Sequence, residues 1–325
     1  MAANVLIMIH GITLETYPLT HQADYDQILQ GLTKDTPALA GAFAQKIFVE
    51  WGHRPPDTAT AELRPDQRIM DAENTLHNLA GFDAVRADHN PLNHTIEPME
   101  HPIETVVDTA ISVGTSPIKE VVAMYGFTDV FYYVSVDGEQ AVRSTVYHQI
   151  LSQIDALRNQ PQVCLHIYGH SLGITVAHDF LYGLFAPDHV PGYYIQAATP
   201  QDKDDYEYWR GRAQAGTLSL GSFSCTASQL CLMTMRKQSM VDMLAAGQTL
   251  DPSVIGVRAD KVHWRLFYAL IDVLGYPSRK VYGDSAGIEE FEVFNGFNPV
   301  TVHNDYGSNA TVISEMAKLI MSNLE

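Results

Sequence analysis

A chain of 325 residues, 46% hydrophobic and 18% charged, has the length of one large α/β domain and the composition of a soluble globular protein. Its 20 Lys and Arg stand against 38 Asp and Glu, a formal charge of −18 at pH 7. That balance argues against nucleic acid and anionic bilayers as partners, since such binding is driven by cations that displace counterions from phosphates.

No apolar run reaches the roughly 18 residues of a spanning helix, so no transmembrane segment is expected. The opening Met1-Ala2-Ala3-Asn4 has no basic region and no cleavage pattern, so no secretory signal is expected either. Three cysteines (Cys164, Cys225, Cys231) cannot all pair within the chain, which favours reduced, structural thiols and a cytoplasmic location.

In chain order, Asn4 to Ile9 reads as a first strand and Lys46 to Glu50 as a second, after a helical stretch that starts at Pro37. Val130 to Ser135 reads as a third. Gln140 to Leu157 has helical apolar spacing (Val142, Val146, Ile150, Ile154, Leu157) and leads into a fourth strand, Val163 to Tyr168. A helix from about Leu172 to Leu184 follows, then strands at Thr217–Leu220, Leu266–Ile271 and Phe291–Phe294, and a last helix from near Asn309 to Leu324. Continuous apolar strands alternating with helices predict a single α/β domain over 1–325, with an open, mostly parallel sheet and helices on both faces. The stretch 53–125 is too long for a simple crossover and is expected to be an inserted helical cap, with 185–216 as a smaller second insertion.

The sharpest motif is Gly169-His170-Ser171-Leu172-Gly173, directly after a strand and directly before a helix. G-x-S-x-G needs small residues on either side of the serine because the strand-to-helix turn is strained and tightly packed, which is expected to leave the hydroxyl exposed above the sheet. Ser171 is the expected nucleophile, and the backbone N–H of Leu172 can face an oxyanion. No catalytic role is assigned to His170. The second motif is His10-Gly11-Ile12, where Gly lets the backbone turn in close at the end of the first strand.

With these two motifs the chain resembles the α/β-hydrolase superfamily, in particular esterase and lipase-like members with an early His-Gly turn and a Gly-His-Ser-Leu-Gly elbow. The resemblance implies the fold, acyl-transfer chemistry and a triad in the order nucleophile, acid, histidine. It implies a second oxyanion N–H from Ile12. It implies His303 as the base, because Val302-His303-Asn304-Asp305-Tyr306 sits before the last helix and resembles the His-x-Asp-Tyr turn of related proteins. For the acid it implies Asp272, at the end of an apolar strand in Asp272-Val273-Leu274-Gly275-Tyr276-Pro277, with Asp284 as rival; Asp260 and Asp251 precede the strand.

The expected activity is hydrolysis of a small ester or lipid-like substrate by a serine esterase, with no metal and no cofactor. Another serine acyl hydrolase (thioesterase, amidase) and a non-catalytic hydrolase-like binding protein are the alternatives. His89, His94 and His101, with Asp88 and Glu97, match no metal spacing. His178 and Asp179 read as helix-face residues. Ile103, Val106, Val107, Ala110, Ile111, Ile118, Val121 and Val122 have the spacing of an amphipathic cap helix, which packs on the domain or serves as a lid.

Overall fold

Val5 to Ile9 are buried without exception, and a strand buried on both faces requires a layer of helices on each side. The computed structural model describes residues 2–11, 21–51, 133, 136–187, 199–233, 238–272, 274–297 and 301–325. Six strands form one sheet: β1 (Ala3–Ile9), β2 (Gln45–Val49), β3 (Val163–His170), β4 (Leu218–Thr226), β5 (Trp264–Tyr268) and β6 (Ile288–Glu292). Their order is β2-β1-β3-β4-β5-β6, and every neighbouring pair is parallel.

The side-chain alternation of the strands sorts the core into two layers. Val5, Ile7, Ile9, Val163, Leu165 and Ile167 belong to a layer covered by α2 (Val136–Ile154), α3 (Leu172–Phe185) and α4 (Pro200–Gln214). Leu6, Met8, Tyr168 and Phe267 belong to the opposite layer, under α1 (Gln22–Asp35) and the C-terminal helix Ala310–Ser322. Each such large apolar side chain taken out of water contributes about 1.5–3 kcal/mol.

Local chemistry fixes the helix ends. Thr199 and Asp202 form a reciprocal capping box at the start of α4, with Pro200 in its first turn. Asn309 accepts hydrogen bonds from the N–H groups of Thr311 and Val312 and so starts the C-terminal helix. At the end of α3 the buried Arg210 guanidinium donates to the carbonyls of Gly183, Leu184 and Ala186, which have no acceptor role left inside the helix.

The expected α/β class and mostly parallel sheet are observed. Of the expected strand Val130–Ser135 only Tyr133 is among the described residues; it is helical, and its hydroxyl donates to Asp179 on α3. An aromatic ring can be buried against a helix layer as well as in a sheet, and here a polar anchor on α3 holds the Tyr133 hydroxyl. The strand expected at Thr217–Leu220 continues to Thr226, because small polar residues (Ser222, Ser224, Thr226) occupy one face while Phe223 and Cys225 pack on the other. The proposed cap 53–125, with its histidines and the Ile103–Val122 stretch, lies outside the described residues. So do 188–198 of the expected second insertion, whose later part is helix α4, packed on α2 and α3. Among the described residues no helix is long and apolar enough to cross a membrane.

One buried histidine makes the sheet acid-sensitive. His166 of β3 is wholly enclosed, with Nδ1 at 2.9 Å from the Ser222 hydroxyl and Nε2 at 3.1 Å from Asn4 Oδ1. Burial, then the nearby Lys261 and His263, lower its pKa from 6.5 to about 3. The unfolded chain therefore takes up a proton that the folded one refuses, so this contribution to stability is complete above about pH 6.5 and is lost as pH falls toward 3. Chemical denaturation at stepped pH should show wild-type stability falling over that window by a few kcal/mol more than that of a His166→Gln variant. Parallel curves for the two proteins would refute the assignment.

Candidate active site

β1 connects to β2 on one side and the chain returns through β3 on the other, so the strand order reverses between β1 and β3. Beyond the carboxyl ends of strands at such a point the loops diverge and leave a crevice where open α/β sheets bind ligands. Gly11 and Ser171 meet there. A Cβ on Gly11 would stand 2.5 Å from the Ser171 Cβ and 3.2 Å from its hydroxyl, so the backbone can lie against Ser171 only with glycine at this position.

The turn at Ser171 is strained. Its φ of 51° and ψ of −128° fall in a region that side chains avoid, at a cost of about 1–3 kcal/mol. The turn persists because the structure around it is tight. A Cβ on Gly173 would come within 2.2 Å of the His10 carbonyl oxygen, and one on Gly169 would press against the Ile174 backbone at 3.1 Å. The Ser171 N–H donates to the Thr226 carbonyl, which ties the turn to β4. The N–H of Leu172 lies in the first turn of α3, where no intrahelical acceptor exists.

The three residues expected to act together are brought together from three separate loops. Ser171 Oγ lies 2.9 Å from His303 Nε2, and His303 Nδ1 lies 2.9 Å and 3.1 Å from the two Asp272 oxygens. Asp272 also accepts from the Leu274 N–H at 3.0 Å and from the Tyr306 hydroxyl at 2.9 Å, and Tyr306 in turn accepts from the Ala269 N–H at 2.8 Å. Burial alone would raise the Asp272 carboxyl, but the hydrogen bonds and charge of His303, with those of Leu274 and Tyr306, outweigh it and hold the pKa below the usual carboxylate value. The carboxylate is therefore ionised at neutral pH. Asp284 is fully exposed, with only a 3.9 Å contact to Arg279.

His170 neighbours the triad without joining it. Its ring centroid is 5.0 Å from that of His303, and its Nδ1 is 3.0 Å from the Thr226 hydroxyl. Burial first, then His303, lower its pKa to about 3, so it stays neutral and does not compete as a base. His10 is enclosed between the rings of His21 and Trp51 and accepts the Trp51 N–H at Nε2. Its Nδ1 is consequently protonated and donates to the Gly11 carbonyl at 2.6 Å, which steadies the glycine turn. Ile12 lies outside the described residues.

Compared with known proteins, the chain matches no family model, no curated sequence and no solved structure.

Two features differ from the sequence expectations. The Ser171 hydroxyl was expected to stand exposed above the sheet, whereas Ser171 is fully buried, because His303 and Gln229 close over it. Gln229 itself was not foreseen: it is buried, and its Nε2 is 3.2 Å from Ser171 Oγ. It follows β4 through Ala227, which takes a positive φ of 59°. The signal was the alternation Ser222, Phe223, Ser224, Cys225, Thr226, which extends the strand and carries Gln229 to the same end of the sheet as Ser171. The role of Tyr306 needed the fold, since its hydroxyl meets the acid across 34 residues of sequence.

Proposed function

We propose that this chain is a serine hydrolase of the α/β-hydrolase fold that cleaves carboxylic esters through an acyl-enzyme on Ser171. The observation that carries this reading is the continuous relay Ser171–His303–Asp272, with 2.9 Å between hydroxyl and imidazole and 2.9 Å between imidazole and carboxylate, mounted on a strained strand-to-helix turn.

The carboxylate accepts from Nδ1, which leaves a lone pair on Nε2. As Ser171 Oγ attacks the ester carbonyl, Nε2 takes the hydroxyl proton, and the imidazolium so formed is stabilised by Asp272. The tetrahedral oxyanion is met by the Leu172 N–H and by Ile12 from the first loop, each worth about 3 kcal/mol. Collapse expels the alkoxide, which leaves as the alcohol with the proton from His303. Water then repeats the sequence on the acyl-enzyme, releasing the acid and regenerating Ser171. Neither a metal nor a cofactor enters these steps. The three free thiols, Cys164 and Cys225 buried and Cys231 half-buried, fit the reducing cytoplasm, where we place the protein.

A fluorophosphonate probe should label wild-type protein stoichiometrically at Ser171, and matched ester, thioester and amide substrates should rank with the ester highest in kcat/KM. Absence of labelling would favour a hydrolase-like binding protein, and a thioester or amide preference would redirect the substrate class.

A further inference from the structure

The hydrogen-bond inventory around Ser171 leaves one buried acceptor with nothing to accept. Asp272 can only accept, so the proton between it and His303 resides on Nδ1. His303 Nε2 is then the acceptor of the Ser171 hydroxyl proton. With its own proton committed, Ser171 Oγ has lone pairs alone to offer Gln229. The amide of Gln229 must therefore present its NH2 to the serine, which settles its orientation and sends its carbonyl oxygen the other way. That oxygen, Oε1, is buried and has no hydrogen-bond partner among the described residues, while Gln229 as a whole is only 3% exposed.

A buried acceptor of this kind is destabilising unless water or a ligand completes it. Its position is informative, since the amide carrying it is already bonded to the atom that attacks the substrate. A substrate group that satisfies Oε1 lies within a few bonds of the scissile carbonyl. An ordinary alkyl ester has no donor to give: its carbonyl and ester oxygens only accept.

We propose that Gln229 is a substrate-binding residue that selects esters bearing a hydroxyl close to the scissile bond, its NH2 holding Ser171 Oγ and its free carbonyl accepting the substrate O–H. The inference rests on the esterase reading above and adds the substrate class. A hydroxyl on the acyl chain and one on the alcohol present the same donor, and substrate pairs tell them apart. Sites that hydrogen-bond a substrate hydroxyl discriminate strongly against analogues without it, because the unmade bond leaves the protein group unpaired.

The test compares near-isosteric pairs on the full chain: ethyl 3-hydroxybutyrate against ethyl 3-methylbutyrate for the acyl side, and 2-hydroxyethyl butyrate against propyl butyrate for the alcohol side. Each kcat/KM is divided by the rate of alkaline hydrolysis of that ester. Wild-type protein should favour the hydroxylated member of one pair by about 10- to 100-fold. In Gln229→Met, which keeps the side-chain length and removes both polar atoms, that ratio should collapse to within about twofold of unity. A wild-type ratio near unity in both pairs, or a preference undiminished in Gln229→Met, would overturn the proposal, and the wild-type measurement needs no variant to fold. Fluorophosphonate labelling run alongside separates the two levels: labelled protein without preference refutes only the role of Gln229, whereas unlabelled protein refutes the esterase reading.

Discussion

Ser171→Ala should lower ester turnover by roughly a millionfold and abolish fluorophosphonate labelling, since the hydroxyl is the only group removed and is the one that forms the acyl bond in the proposed mechanism. The fold should survive, because the side-chain bonds lost are those to His303 and Gln229, while the Ser171 N–H keeps its bond to Thr226. The strained backbone supplies a second, independent prediction at the same position. Alanine retains the Cβ that makes φ 51°, ψ −128° costly, whereas glycine has none. Ser171→Gly should therefore be inactive yet more stable than Ser171→Ala by about 1 kcal/mol in urea denaturation, the relief of strain exceeding the greater entropy of an unfolded glycine. Retained turnover in either variant would sink the nucleophile, and an alanine variant more stable than the glycine one would sink the strain argument.

Asp272→Asn should lower turnover by about ten-thousandfold while Asp284→Asn is nearly silent. An asparagine amide facing Nδ1 favours the imidazole that carries its proton on Nε2. That nitrogen then donates toward Ser171 Oγ instead of accepting from it, and the base is lost. Asn also has one side-chain oxygen where Asp272 uses two, which serve His303, Leu274 and Tyr306, so a small loss of stability accompanies the loss of activity. Asp284 reaches none of these groups. The opposite order of the two variants, assayed on one small ester at neutral pH, would place the acid on the wrong turn.

Most of the architecture was legible because its strands are continuous apolar runs bounded by glycine and polar turns. Val5–Ile9 and Val163–Tyr168 needed no partner to be recognised, and neither did the helix after Ser171. Tyr133 was expected in a strand and is helical, because aromatic residues report burial more reliably than they report conformation. β4 was cut short because small polar residues in a buried strand look like a turn until their partners are known. His166 is the partner of Ser222, and Tyr168 and His170 those of Thr226.

The sequence by itself determined the α/β class and the elbow at Ser171, together with its need for glycine at 169 and 173, because those properties are local. Each depends on residues within a few positions of one another and on the periodicity of burial. Its resemblance to hydrolases singled out Asp272 and His303, but their meeting with Ser171 is a matter of tertiary structure. So are the burial of the serine, the hydrogen bond of Tyr306 to Asp272 and the arrival of Gln229 at Ser171. These contacts join residues 31 to 132 positions apart, and no local preference encodes them. They exist because parallel strands deliver all their carboxyl ends to one edge of the sheet, where the order of the strands decides which loops face each other.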